Sequence, residues 1–114
     1  MEYQHIIYEP GRVARIILNR PRYYNAQSRL MREEMDDAFA RAAADDTVGA
    51  IVLSGRGKHF SAGHDIGTAE ELADRQARGY PGGPFERFNY TRAMCLENSL
   101  RWRNIPKPAI AMVH

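Results

Sequence analysis

Only one cysteine, Cys95, occurs in the sequence, which rules out an internal disulfide and leaves nothing to suggest an oxidising compartment. No base stands beside it, so Cys95 reads as a small residue on a helix flank rather than as a nucleophile. Long apolar runs are missing too: none approaches the length of a membrane span, and Met1 to Tyr8 lacks the basic-then-apolar order of a secretory signal. No sign of charge dominates, since 16 basic and 14 acidic residues leave a formal +2 scattered along the chain, too little to argue for nucleic acid. Internal repeats and low-complexity tracts are also absent. These absences together predict a cytoplasmic protein that engages neither membrane nor nucleic acid.

What is present suits one ordinary domain. The 114 residues carry 44% hydrophobic content, and a chain of this size buries roughly two-thirds of its unfolded surface if its elements form complete layers. Ile6 to Tyr8 and Val13 to Leu18 read as short strands around the turn Glu9-Pro10-Gly11-Arg12, which predicts a hairpin. Arg20-Pro21 ends the second strand, and Arg22-Tyr23-Tyr24-Asn25 makes a loop.

From about Gln27 to Ala44, Met31, Met35, Ala38, Phe39 and Ala42 fall on one helical face, with Asn25 or Ser28 as cap and Asp45-Asp46 as stop. The continuous run Ala50 to Leu53 predicts a strand covered on both faces, and the order strand, helix, strand predicts a parallel crossover. Thr68-Ala69-Glu70-Glu71 fits a capping box opening a short helix to about Arg78, followed by a Gly- and Pro-rich loop over residues 79–84. Phe85 to Arg103 reads as a further helix with Ala93, Leu96 and Leu100 along one side, and Ala109 to Val113 as another buried strand. The fold class is therefore α/β, with a hairpin followed by parallel strands and crossover helices.

The stretch from Gly57 to Gly67 carries the chemistry. Ser61, Ala62 and Gly63 are small enough to let a ligand approach bare backbone, and a turn into a helix start would aim unpaired N–H groups there, so the stretch reads as an anion-stabilising site. Phosphate cradles do not fit: Lys58 is followed by His59 where a P-loop needs Ser or Thr, and Gly55, Gly57 and Gly63 do not match G-x-G-x-x-G. His59, His64 and Asp65 are residue types that ligate metals, but no partner motif supplies further ligands, and no metal is assigned.

Gly57, Phe60, Ser61, Ala62, Gly63, Asp65 and Ile66 resemble the first signature of the crotonase (enoyl-CoA hydratase/isomerase) superfamily. Leu18-Asn19-Arg20-Pro21 with Asn25-Ala26 resembles the family's first turn, and Ile105 to Ala111 the strand leading to its second signature. The resemblance implies a crotonase-like ββα spiral of which residues 1–114 are the N-terminal part. It assigns the backbone N–H of His64 as one of two donors to the thioester oxygen of an acyl-CoA, where fixed N–H dipoles favour the charge of an enolate. It sets Ala62, Gly63, Asp65 and Ile66 along the coenzyme A arm, and Arg22, Tyr23 and Tyr24 at a second contact, Arg22 toward a phosphate and a tyrosine ring toward the adenine. The His64 imidazole has no assigned role.

The most common activity of such proteins is hydration of a 2-trans-enoyl-CoA. Isomerase, dehalogenase and thioester hydrolase share the loop. No cofactor is implied beyond the coenzyme A of the substrate, and the family forms trimers and hexamers. The family's G-x-x-x-G-G-G segment, with the second donor and the acid/base glutamates, has no counterpart in this sequence. Glu70, Glu71, Glu86 and Glu97 match no catalytic position and read as solvated helix faces. The expectation is a piece that leaves the apolar faces of Ala50–Leu53 and Ala109–Val113 uncovered and so neither folds stably nor catalyses alone; a non-catalytic coenzyme A-binding or subunit-docking piece is the reading from another class. The acyl pocket is expected near Ala73 to Tyr90.

Overall fold

The computed structural model describes residues 1–80 and 82–114, so Pro81, inside the expected Gly- and Pro-rich loop, lies outside the described residues. β1 (Ile6–Glu9) and β2 (Val13–Leu18) form the expected hairpin, antiparallel with Ile6 opposite Leu18. α1 (Arg29–Ala44) then crosses to β3 (Ala50–Gly55), which pairs in parallel with β2, Ile16 opposite Leu53. β4 (Ala109–Ala111) joins in parallel on the far side of β3, giving the sheet order β1-β2-β3-β4. Between β3 and β4 run α2 (Ala69–Arg78), α3 (Pro84–Arg92), a π-helical turn (Ala93–Glu97) and α4 (Asn98–Arg103).

The core is the contact of α1 with one face of the sheet. Alternate residues Ala14, Ile16 and Leu18 of β2 are buried, as the period of a strand requires, and meet Met31, Met35, Ala38 and Phe39 at helical spacing on α1. Trp102 of α4 stacks on Phe39 with ring centroids 4.9 Å apart. Polar groups fasten the helix at both ends. Ser28, not Asn25, is the cap, its hydroxyl accepting from the Met31 amide at 3.0 Å. At the other end Lys107 donates to the carbonyls of Ala42 and Asp45, two groups that the helix leaves unpaired. Glu34, buried on α1, accepts from the amides of Gln4, His5 and Ile6 and so ties down the chain entering β1.

Some expectations are met and others need correction. β3 and β4 read as buried strands of a complete domain, and here their apolar faces are uncovered as expected of a piece: Ile51 is buried, but Val52 and Leu53 are only half covered, and β4 is exposed along its length, with Ile110 at 57% and the following Val113 at 69%. An open apolar hollow of about 190 Å³ between Phe39, Trp102, Leu53 and Ile110 marks the same uncovered region. The helix expected over Phe85 to Arg103 is present without a gap, α3, the π-turn and α4 running on from one another with helical dihedrals at Arg92, Ala93 and Asn98, but Leu96 and Leu100 on its apolar side are exposed, whereas Asn98 is buried. The capping box of α2 is half made. Thr68 Oγ1 accepts from the Glu71 amide at 3.2 Å, but the Thr68 amide is taken by Asp65, and the Glu71 carboxylate turns inward.

Candidate active site

The site begins where β2 runs into the turn Pro21–Tyr23, a single 3-10 turn with proline at its first position. Tyr24 and Asn25 follow with φ of 52° and 55°, left-handed values that asparagine tolerates better than most residues. Asn25 is fully buried and works as a latch. Its Oδ1 accepts from the Arg20 amide at 2.8 Å, and its Nδ2 donates to the carbonyls of Arg56 and His59 at 2.9 and 2.8 Å. The β2 turn and the glycine loop are thereby joined at the loop's base.

The loop is then laid along the segment leading into α1. The Ala62 amide donates to the Tyr24 carbonyl at 2.9 Å, and Ser61 Oγ donates to the Asn25 carbonyl at 2.8 Å while accepting from the Gly63 amide. Next comes one parallel bridge, Gln27 with His64. The Gln27 amide donates to the Gly63 carbonyl at 2.7 Å, and the Asp65 amide donates to the Gln27 carbonyl at 3.0 Å. In a parallel bridge the residue between the two bonded positions turns its own N–H and C=O to the opposite side. The His64 N–H therefore points away from Gln27, and among the described residues it has no acceptor, although the amides on either side of it are paired.

Gly63 has φ of 98°, and nothing lies within 4 Å of where its Cβ would be. Its need for glycine is thus one of backbone conformation, and the space beside the amide is open. α2 begins at Ala69 behind its Thr68 cap, as expected, but His64 lies short of it, so the amide is on extended chain rather than at the helix start that the anion-site reading invoked. What fixes its direction is the Gln27 bridge, not a helix dipole.

The other residues named from the sequence divide into exposed and buried. Ala62, His64 and Ile66 are exposed, Ile66 at 87%. The His64 Nδ1 lies 2.9 Å from the Asp65 carbonyl, which can only accept, so Nδ1 is the donor in that contact. Asp65 faces the other way. It is buried, with Oδ1 accepting from the amides of Gly67 and Thr68 and Oδ2 from Thr68 Oγ1 and Arg20 Nη1. Burial raises its pKa, but the Thr68 hydroxyl and amide, the Arg20 guanidinium and the Gly67 amide outweigh it and hold the carboxyl down at about 2. Asp65 is thus a brace within the loop rather than a surface of it.

Arg22 is exposed and lies over the Tyr23 ring at 5.3 Å, with Arg20 over the same ring at 4.7 Å. Tyr24 is 61% exposed and meets the edge of His59 at 5.2 Å. Tyr24, His59, Arg56 and Lys58, with Pro21 and Gly57, line a hollow of about 210 Å³ beside the loop. No three His, Cys, Asp or Glu side chains come together among the described residues in a way that could hold a metal ion.

Of the four glutamates, Glu70, Glu86 and Glu97 stand on solvated helix faces as expected, and Glu71 does not. Glu71 is no solvated face: it is buried, accepting from the Arg29 amide at 2.9 Å and from Arg75 Nε at 2.9 Å. Glu70 pairs with Arg20 and His5, Glu86 accepts from the Gly83 amide, and Glu97 pairs with Arg92. Arg20, Asn25 and Glu71 are what sequence reasoning missed as site supports. Arg20 and Asn25 stood inside a quoted motif, and their polarity next to apolar strand ends was the available signal.

An antiparallel hairpin feeding parallel strands with a crossover helix, and a small-residue loop laid beside them with the His64 amide turned outward, define an α/β protein. Over residues 9–114 the chain matches the family model described as enoyl-CoA hydratase/isomerase, and it belongs to that family, in the crotonase superfamily. EchA13 of Mycobacterium tuberculosis, named provisionally as an enoyl-CoA hydratase, is 41% identical over a 127-position alignment covering 99% of this chain and 40% of that protein. The mouse enoyl-CoA hydratase domain-containing protein 3, mitochondrial, is 32% identical over 90% of this chain and 31% of its own length. The crystal structure of an enoyl-CoA hydratase/isomerase from Xanthobacter autotrophicus Py2 superposes with a TM-score of 0.78 at 36% identity, covering 99% of this chain and 39% of that one. The fold is thus crotonase-like, and the chain spans about 40% of the length of such relatives. No helix of the described residues is long and apolar enough to cross a membrane.

Proposed function

We propose that the protein is an acyl-CoA enzyme, most simply an enoyl-CoA hydratase, and that the His64 N–H is one of two donors to the thioester oxygen. The observation that carries this reading is the His64 amide, which has no acceptor among the described residues and is turned away from Gln27 by the bridge, beside a Gly63 whose Cβ position is open. When water adds to the conjugated double bond of a 2-trans-enoyl-CoA, negative charge moves onto the thioester oxygen, and a fixed N–H directed at that oxygen favours the charged state without reorganising. Removing one such donor typically costs about a hundred- to a thousandfold in rate.

The coenzyme A arm would pass along Ala62, Gly63 and Ile66, with only the backbone of Asp65 in reach, since its carboxylate is turned inward. Arg22, Tyr23 and Tyr24 would take the nucleotide end, and the hollow beside Tyr24 adds the positive charges of Arg56 and Lys58. The reaction uses coenzyme A only as part of the substrate, with no separate cofactor. A cytoplasmic homotrimer or hexamer is the assembly we assign to the protein, with neither membrane nor nucleic acid as partner.

Mixing the protein as its source makes it with crotonyl-CoA and following the conjugated thioester absorbance tests the reading. Loss of absorbance is expected. No loss, with turnover of a 3-enoyl-CoA instead, assigns isomerase, and dehalogenase or thioester hydrolase would show as release of halide or free thiol. A second reading has its own support: Glu70, Glu71, Glu86 and Glu97 are all engaged in pairs or caps, so the 114 residues offer an oxyanion donor but no free carboxylate in an acid/base role. They would then act alone only as a coenzyme A-binding or subunit-docking piece. Calorimetric binding of coenzyme A without turnover would mark that case.

A further inference from the structure

Arg20 lies two residues beyond the end of β2, and its guanidinium is turned into the protein, with 3% of the side chain exposed. Nη1 donates to the Ala26 carbonyl at 2.6 Å and to Asp65 Oδ2 at 3.0 Å; Nη2 donates to Thr68 Oγ1 at 3.3 Å and to Glu70 Oε2 at 3.0 Å. Ala26 immediately precedes Gln27, and Asp65 immediately follows His64. One planar group therefore grips both chains of the bridge that turns the His64 amide outward, each at the residue next to it.

The arrangement is not what stability alone would select. Nε of the same guanidinium is buried without an acceptor among the described residues, and buried ion pairs are often no better for stability than well-packed apolar groups. What the guanidinium supplies is geometry. Nη1 makes both bridge contacts, its N–H directions are fixed in the guanidinium plane, and Nη2 holds that plane in place on Thr68 and Glu70, so the carbonyl on one strand and the carboxylate on the other are held in set directions, which the freely rotating ammonium of a lysine does not do.

We propose that Arg20 is the positioning residue of the oxyanion donor: by locking the Ala26 carbonyl to the Asp65 carboxylate it sets the direction of the His64 N–H, without touching substrate itself. The proposal rests on the reading of that amide as the oxyanion donor. Its consequence is kinetic. An amide free to tilt still binds a ground-state thioester through the coenzyme A contacts but loses its aim at the developing oxyanion, so the effect falls on kcat rather than on KM.

The test is made on the protein as its source makes it, with an enoyl-CoA substrate, using Arg20→Lys, Asp65→Asn and the double variant, with kcat referred to the folded fraction from a melt. Expected are a fall in kcat of roughly ten- to a hundredfold for each single variant with KM within about threefold, and a double variant no slower than the slower single one, because both act through one contact. Should Arg20→Lys fail to fold, Asp65→Asn, which keeps acceptors for Gly67 and Thr68, decides alone. Unchanged kcat per folded molecule, a rise in KM alone, or additive losses would overturn the proposal while the oxyanion reading stands. A parent protein inactive toward every acyl-CoA tried sinks the oxyanion reading, and the positioning role falls with it.

Discussion

Replacing Asn25 with alanine removes the latch between the β2 turn and the glycine loop, and its cost can be worked out group by group. The Arg20 amide loses its only recorded acceptor in a buried place, which costs about 1–3 kcal/mol. The carbonyls of Arg56 and His59 lose a donor, but both residues are exposed and water replaces it, for roughly 1 kcal/mol together. The φ of 55° adds about 1 kcal/mol for an alanine. The sum, about 3–5 kcal/mol, is a large part of the stability of an ordinary domain. Urea denaturation of the protein as its source makes it, beside its Asn25→Ala and Asn25→Gly variants, measures it, with glycine expected about 1 kcal/mol less damaging because it takes positive φ without strain. A loss under about 1 kcal/mol for Asn25→Ala, or glycine doing worse than alanine, would refute the reasoning.

Other outcomes follow from equally specific contacts. A Cβ on Gly55 would lie 2.5 Å from the Phe60 carbonyl oxygen and 2.9 Å from its Cα, both backbone, so Gly55→Ala should destabilise by roughly 2 kcal/mol or more, read from the same urea curves. Asp65 has its pKa lowered from 3.8 to about 2, so it contributes stability above pH ~4 that is lost as pH falls through about 2. This share is about 2 kcal/mol, and Asp65→Asn should flatten the fall in urea midpoint between pH 5 and pH 2. Glu34→Gln replaces an acceptor of three backbone amides by a group with one acceptor oxygen, and should raise hydrogen exchange at Gln4, His5 and Ile6 by at least about tenfold. The 114-residue chain by itself, with Ile110, Met112 and Val113 exposed beside Leu96 and Leu100, should bind a hydrophobic dye and melt without cooperativity; a sharp two-state melt would contradict that.

Elements held by local pattern were legible in the sequence. Pro10-Gly11 between two apolar runs marked the β1–β2 hairpin, and the spacing of Met31, Met35, Ala38 and Phe39 marked α1 and its buried face. The small residues of the glycine loop likewise marked open backbone at His64. What stayed hidden was pairing over long separations. Arg20 and Asp65 lie 45 residues apart, and Asn25 reaches 34 residues ahead to His59; such contacts leave no periodicity. Glu71 was misjudged for a related reason: a carboxylate in the first turn of a helix fits a capping box, but the unpaired Arg29 amide opening α1 took it instead. β4 is a case between the two: five apolar residues in a row state that the strand prefers cover, and the expectation that these 114 residues leave that face open is met.

Gln27 spends both of its main-chain groups on the residues flanking position 64, so the orientation of that amide does not depend on which side chain stands there. The imidazole can be exchanged without moving the donor. A scaffold of this kind separates the part of a site that must stay fixed, the direction of one N–H, from a neighbouring part that is open to change. On the proposed reading of that amide, new acyl groups or new reactions could be sampled at position 64 with the oxyanion contact kept.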